Sequence, residues 1–466
     1  MNRINITNPI IGLLVLVIFL ALFRLFQSNS IYNHTLGKVS QNYERVGDWN
    51  NYQIHKVSKP YLEIKSENFR RWDASIYRSI KNEMYSSEGS YNKVRGAFFP
   101  LFPLVWKLSG TDELGISIIN YFIFILSISL LIKYLYHGTP REKIILYLLL
   151  ISFPSTIIYY IPYTESLFLL TMSLLAIGLI KKNYTLYFIS AILVAMVRPA
   201  TIFIPLSIVL IESILLLRHK KIVFYLKQCM NKLMPFGLGY LTVAVIQYAY
   251  TDSWTTVLEA QKYWKGNKFS IPTQIVDWSV EGFGLNSFSL FFICIPAIGY
   301  LVYFIYNQYS LSNLIKDSNQ SLIDPKNYLM VLSMTYFVFI FIYKALTSNG
   351  SLNSLFRFTL CAPLFYIIVI LGSTKLKQIS IPKKALILIP LGLLYIFLSM
   401  TTYGGDRFGF SFAGMYLAIL TGLFILFRND LSTKIQFGLT GILTFMNLVW
   451  TSYLLNMYFS EGWLFT

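Results

Sequence analysis

The sequence predicts an all-α polytopic membrane protein: a bundle of about thirteen transmembrane helices with a long loop after the first. Three observations carry that expectation. Of 466 residues, 55% are hydrophobic and only 13% charged, where a soluble domain carries about a quarter. Apolar runs long enough to cross a bilayer recur along the whole chain. Basic residues gather in the short segments between those runs.

The runs lie near 9–26, 114–136, 144–161, 165–180, 184–197, 199–217, 233–251, 286–306, 328–346, 355–374, 385–401, 409–427 and 435–458. The first could be a cleaved leader, but its flank holds only Arg3 and the run is long for one. It reads as a retained helix. The stretch 184–217 is too long for one crossing and breaks at Arg198-Pro199, so it reads as a hairpin.

With the N-terminus cytoplasmic, the inner segments collect 18 Lys and Arg. The short outer ones hold five: Arg198, Lys262, Lys265, Lys268 and Arg407. An error of one crossing would scramble that bias. The net charge of +18 is therefore a topology signal, with anionic lipid as its partner and no nucleic acid. The expected division is 1–27 for the first helix, 28–108 for an extracytoplasmic loop, and 109–466 for the multi-helix membrane domain. A second outer loop is expected at 252–285.

Metal and redox chemistry find little support. Cys294 and Cys361 sit in apolar runs, Cys229 lies in a Lys-rich segment, and four scattered histidines form no HExxH. No cofactor is expected, and a divalent ion stays open because no paired-carboxylate motif is evident.

Chemistry concentrates in the first loop. Phe69, Trp72, Ile76, Ile80 and Met84 recur at three- and four-residue spacing, one apolar stripe of a helix. Arg70, Asp73, Tyr77 and Lys81 form an adjacent polar stripe. A basic amphipathic helix of this kind lies in the membrane interface, with Asp73 at headgroup depth. The plainer reading is an interfacial anchor whose Asp73 merely pairs with Arg70. Next, Ala97-Phe98-Phe99-Pro100-Leu101-Phe102-Pro103-Leu104 is too short to span and reads as a re-entrant or interfacial segment.

Three more charges map to the same outer face. Glu165 opens a helix behind Thr164, which reads as its N-cap, and on the plainer reading it balances the helix dipole. Arg198 stands at the hairpin tip and Arg357 near the end of its run; either could simply snorkel. Yet charges at membrane depth are functional by default, and arginine forks suit a phosphate. An acid beside cations is what sugar transfer from a lipid phosphate needs: a base for the acceptor proton and positive charge for the departing phosphate.

Phe69-Arg70-Arg71-Trp72-Asp73-Ala74 and the segment Ala97 to Leu104 resemble the RWDA…AFFPLYPL signature of PIG-V-type mannosyltransferases. Tyr163-Thr164-Glu165-Ser166-Leu167-Phe168 and Arg198-Pro199 match further family stretches in the same order, and the likeness runs through roughly residues 69–200. It is looser at Gln261 to Trp264 and at Leu355-Phe356-Arg357-Phe358. The resemblance implies a GT-C-like glycosyltransferase. It would use a polyprenyl- or dolichyl-phosphate sugar, typically mannose, and invert the anomeric carbon. Asp73 matches the first-loop carboxylate of such enzymes and would be the general base. Arg70, Arg71, Tyr77, Glu165, Arg198 and Arg357 would be the donor-side residues, with Gln261 and Trp264 facing a glycan or glycolipid acceptor. Departures are Val94-Arg95-Gly96, where relatives tend to carry an aromatic, and Phe102 in place of the usual Tyr. Such an enzyme would sit in a bacterial cytoplasmic membrane or the endoplasmic reticulum with its site on the non-cytoplasmic face. A lipid-linked-sugar flippase and a surface-polysaccharide polymerase are the competing readings.

Overall fold

The structure is a computed structural model. It describes residues 7–25, 43–48, 51–56, 63–85, 94–219, 221–264, 280–310, 324–347, 352–376, 379–402, 421–422, 426 and 431–459. Among them all regular structure is helical except one antiparallel strand pair in the first loop. It runs Tyr43–Asp48 against Asn51–Lys56 with Tyr43 opposite Lys56, and the sequence reading did not anticipate it.

Six helices are long and apolar enough to cross a membrane: Glu113–Leu135, Pro199–Arg218, Ile222–Thr251, Gly284–Gln308, Pro325–Thr347 and Thr433–Asn456. Shorter apolar helices cover Pro9–Leu25, Tyr184–Ala195 and Pro363–Lys375. That is the make-up of a polytopic helical membrane protein. Most of the expected run 409–427 lies outside the described residues.

Within these helices apolar residues occur all round, so sequence alone does not tell which face is inward. On Glu113–Leu135, Phe124, Ile128 and Leu131 are buried while Phe122 and Leu126 face outward. Close approach uses glycine. A Cβ on Gly178 would lie 2.7 Å from the backbone N of Tyr187, so the helices Glu165–Lys181 and Tyr184–Ala195 pack nearly backbone to backbone.

Proline ends helices where the runs looked continuous. The run 144–161 divides into Pro140–Ser152 and a 3-10 turn Pro154–Tyr159. The run 355–374 divides into Leu355–Phe358 and Pro363–Leu376. In both, the ring nitrogen lacks the N–H that would continue the ladder. The hairpin break also appears, since Tyr184–Ala195 stops before Arg198 and Pro199 opens the next helix. The basic segment after His219 is largely helical instead of a loop, because Ile222–Thr251 absorbs Lys227 and Lys232.

The long helices are not charge-free. Glu212, buried within Phe203–His219, accepts from Lys232 Nζ at 2.5 Å and from the Tyr328 hydroxyl at 3.0 Å. Three helices are thereby tied together by one carboxylate.

Candidate functional site

The first-loop helix is observed at Asp73–Glu83. Its apolar stripe is packed against protein. Ile76 and Ile80 are buried, and the helix packs on the helix Leu101–Ser109, which overlaps the segment expected to be re-entrant. A protein surface satisfies the stripe as well as lipid would, and it fixes the helix in place. Tyr77, assigned to the polar stripe, is buried too, its ring edge-on to Phe98 and Phe102 at 5.1 and 5.2 Å. Burial first, then the charges of Asp73 and Glu165, push its hydroxyl well above the usual tyrosine range.

The entry to this helix is strained. Trp72 has φ 52° and ψ −127°, a conformation that costs an L-residue about 1–3 kcal/mol. The surroundings hold it there: the Tyr458 hydroxyl donates to the carbonyls of Phe69 and Arg71 at 3.1 and 3.3 Å.

Arg70 does not pair with Asp73. Its Nε lies 2.7 Å from Glu113, and the Nε of Arg78 lies 2.8 Å from the same carboxylate oxygen. Ser66 Oγ donates to the other oxygen at 2.9 Å. Glu113 is 3% exposed whereas each arginine is 42% exposed. One carboxylate at the start of Glu113–Leu135 thus clamps the segment before the helix and the helix itself. Arg70 is thereby drawn away from the site assigned to it. Arg71 contributes its carbonyl to the Tyr458 contact.

The partner of Asp73 comes from the other end of the chain. Arg357 Nη2 lies 2.5 Å from Asp73 Oδ2, and its Nε lies 3.3 Å from Glu165 Oε1. Arg198 Nη1 reaches the same Glu165 oxygen at 2.6 Å. The structure therefore brings Asp73, Glu165, Arg198 and Arg357 into one ion network, as the shared face suggested. The side chain of Glu165 is 0% exposed and that of Asp73 18% exposed. Asp73 is the open end of the network and Glu165 its sealed centre.

Each member stands at a helix break, held by specific bonds. Glu165 opens its helix after a turn fixed by Asn120, whose Nδ2 donates to the carbonyls of Ile161 and Tyr163 at 2.7 and 3.1 Å. Thr164 occupies the N-cap position, but its hydroxyl donates to Glu165 at 3.4 Å instead of capping. Arg198 is in extended backbone ahead of Pro199. Arg357 sits on the turn Leu355–Phe358, where Asn286 Oδ1 accepts the Phe356 N–H at 3.0 Å. The Tyr159 hydroxyl holds the Cys361 carbonyl at 2.7 Å, tying this break to the 154–159 turn. Irregular backbone inside a membrane bundle survives only with such substitute bonds.

Aromatic faces cover the cations. Arg357 lies 4.9 Å from the Tyr163 ring centroid, and Arg198 lies 5.2 Å from that of Phe358. Lys344, absent from the sequence reading, lies 4.8 Å from the same Phe358 ring. Gln261 and Trp264 fall on helix Thr256–Trp264, their side chains outside the described ones. That helix is seated on the first-loop segment: a Cβ on Gly96 would come within 2.7 Å of Thr256 Cγ2.

No family model matches the chain. Comparisons with curated proteins and with solved structures also find no match. The reading of the site therefore rests on its geometry and on the motif resemblance. Glu113, Arg78, Asn120 and Lys344 are the residues that geometry adds.

Proposed function

We propose that this protein is an inverting glycosyltransferase. It moves a sugar, mannose first among candidates, from a polyprenyl- or dolichyl-phosphate donor to a glycan or glycolipid acceptor on the non-cytoplasmic face. The observation that carries the reading is the Asp73 carboxylate, partly open, paired with the buried Arg357, which Glu165 holds together with Arg198.

In this mechanism Asp73 accepts the proton of the attacking acceptor hydroxyl. The oxygen forms the new bond to the anomeric carbon as the bond from that carbon to the donor phosphate oxygen breaks. The electron pair leaves with the phosphate, which is stable as an anion and needs no acid. Arg357, between Asp73 and Glu165, is placed to share its guanidinium between the base and the departing phosphate. Glu165, sealed from solvent, acts as a positioning residue and not as a second base. Its two arginines keep a fixed geometry, so that little reorganisation is needed when charge develops.

Purified protein in liposomes, given labelled mannosyl-phosphoryl-polyprenol and membrane glycolipid, should yield a labelled product and free polyprenyl phosphate. Movement of intact donor between leaflets without release of polyprenyl phosphate would instead identify a flippase.

A further inference from the structure

Two residues of the first loop take a backbone conformation that L-residues rarely adopt, and they bracket one helix. Trp72 precedes Asp73–Glu83 with φ 52° and ψ −127°, and Met84 follows it with φ 57° and ψ −140°. Such a conformation persists only where neighbouring structure imposes it. The bonds that impose it differ at the two ends.

At the Trp72 end both flanking peptide planes are pinned. The Trp72 carbonyl accepts the Ser75 N–H at 3.0 Å, a bond local to the helix start. The Arg71 carbonyl belongs to the plane about which the φ of Trp72 turns. It accepts the Ala74 N–H at 3.0 Å and the Tyr458 hydroxyl at 3.3 Å. The same hydroxyl reaches the Phe69 carbonyl at 3.1 Å. Tyr458 is fully buried in the last turn of Thr433–Phe459, so this hold comes from the far end of the chain. Its ring is also edge-on to Tyr163 at 6.2 Å, and the Tyr163 ring covers Arg357 at 4.9 Å. One side chain thus bears on both halves of the Asp73–Arg357 pair. At the Met84 end the nearby hold is the Tyr85 hydroxyl, which donates to the Phe98 carbonyl at 2.6 Å, a helix length away from Asp73.

We propose that Tyr458 is a positioning residue: its hydroxyl locks the strained Trp72 turn and so sets the Asp73 carboxylate against Arg357. That Asp73 then acts as a base rests on the glycosyltransferase reading above; the lock itself does not. Tyr458→Phe keeps the ring and its packing and removes the hydroxyl alone.

The test is carboxyl labelling of purified protein in nanodiscs with a water-soluble carbodiimide and glycine ethyl ester, read residue by residue by mass spectrometry. Asp73 in wild type, paired with Arg357 at 2.5 Å, should react slowly. In Tyr458→Phe it should react about fivefold faster, the weight of one hydrogen bond, while the sealed Glu165 is unchanged. Glycine adopts the Trp72 conformation without strain, so in a Trp72→Gly background the same change should alter Asp73 little. Tyr85→Phe, the equivalent change at the other strained end, should leave Asp73 at the wild-type rate. Thermal unfolding checks that each variant is folded. Equal labelling of Asp73 in wild type and Tyr458→Phe overturns the lock, and so does an undiminished gain in the Trp72→Gly background. Transfer from labelled mannosyl-phosphoryl-polyprenol is read on the same proteins. Tyr458→Phe should lower kcat and leave the donor KM; an unchanged kcat beside faster labelling overturns the positioning role while the transferase reading stands. Labelling as expected with no transfer by wild type overturns the transferase reading and leaves the lock.

Discussion

Arg357 is the residue on which the site turns, because its guanidinium meets Asp73 and Glu165 through two different nitrogens, Nη2 and Nε. A lysine carries the charge but not the planar fork. Arg357→Lys should therefore keep the protein folded while lowering kcat by about tenfold or more, the loss of one charge-assisted bond. Equal turnover in the two proteins would remove Arg357 from the chemistry. Glu165 behaves differently. Glu165→Ala leaves Arg198 and Arg357 buried without their shared carboxylate, and breaking such a pair costs about 3–5 kcal/mol. The expected readout is a large drop in melting temperature or loss of monodisperse protein; an unshifted melt would contradict the sealed-centre role. Glu165 and Arg198 were legible in the sequence because they stand in stretches that resemble the family, and Arg357 because it is an arginine near the end of an apolar run. Lys344 was not, since one lysine near the end of an apolar run looks like snorkelling until its place beside Phe358 is known. Arg70 was misplaced for a related reason: helical spacing puts it next to Asp73, and only the fold reveals that Glu113 competes for it.

At the scale of elements, the helix Asp73–Glu83 is held from two sides, by the Glu113 clamp and by the apolar contact with Leu101–Ser109. Glu113→Gln keeps the shape and removes the charge that both arginines share. Hydrogen exchange across residues 66–84 should accelerate and kcat fall, while the helix 113–135 stays protected. Unchanged exchange there would show that packing alone places Asp73. The neighbouring cap makes a pH statement possible. Asp112 accepts the Gly115 N–H, and that bond, with Ser66 next, holds its carboxyl below the ordinary range. A depressed folded value means that the cap's stabilisation is complete above the unfolded value of about 4 and is lost as pH falls through the lower one. First-turn fraying of the helix should therefore appear only in acid, and fraying that begins near neutral pH would contradict it. Of this layer the sequence disclosed apolar helices and the break at Arg198-Pro199, but not the breaks at Pro154 and Pro363. It did not disclose the contacts between helices, because runs that are apolar on every side give no inward stripe to read.

Taken whole, the molecule joins segments from both halves of the chain at one site: the first loop, the breaks at 162–165 and 198–199, and the turn at 355–358. On the function proposed above, the bundle holds broken backbone where a lipid phosphate and a water-borne acceptor would meet. The charge bias of the short segments gives the orientation to be expected, with the N-terminus cytoplasmic and the Asp73 loop outside. A cysteine introduced at 40–60 should react with an impermeant reagent from the outer side; reaction only after the inner side is opened would invert the topology. The central claim is that Asp73 takes the acceptor's proton. Its most direct measurement is single-turnover transfer of labelled sugar from polyprenyl phosphate by wild type and by Asp73→Asn at saturating donor. The account predicts that donor binding persists while the transfer rate falls by about 10²–10⁴-fold, the contribution of a positioned base. Transfer by Asp73→Asn at the wild-type rate would contradict it.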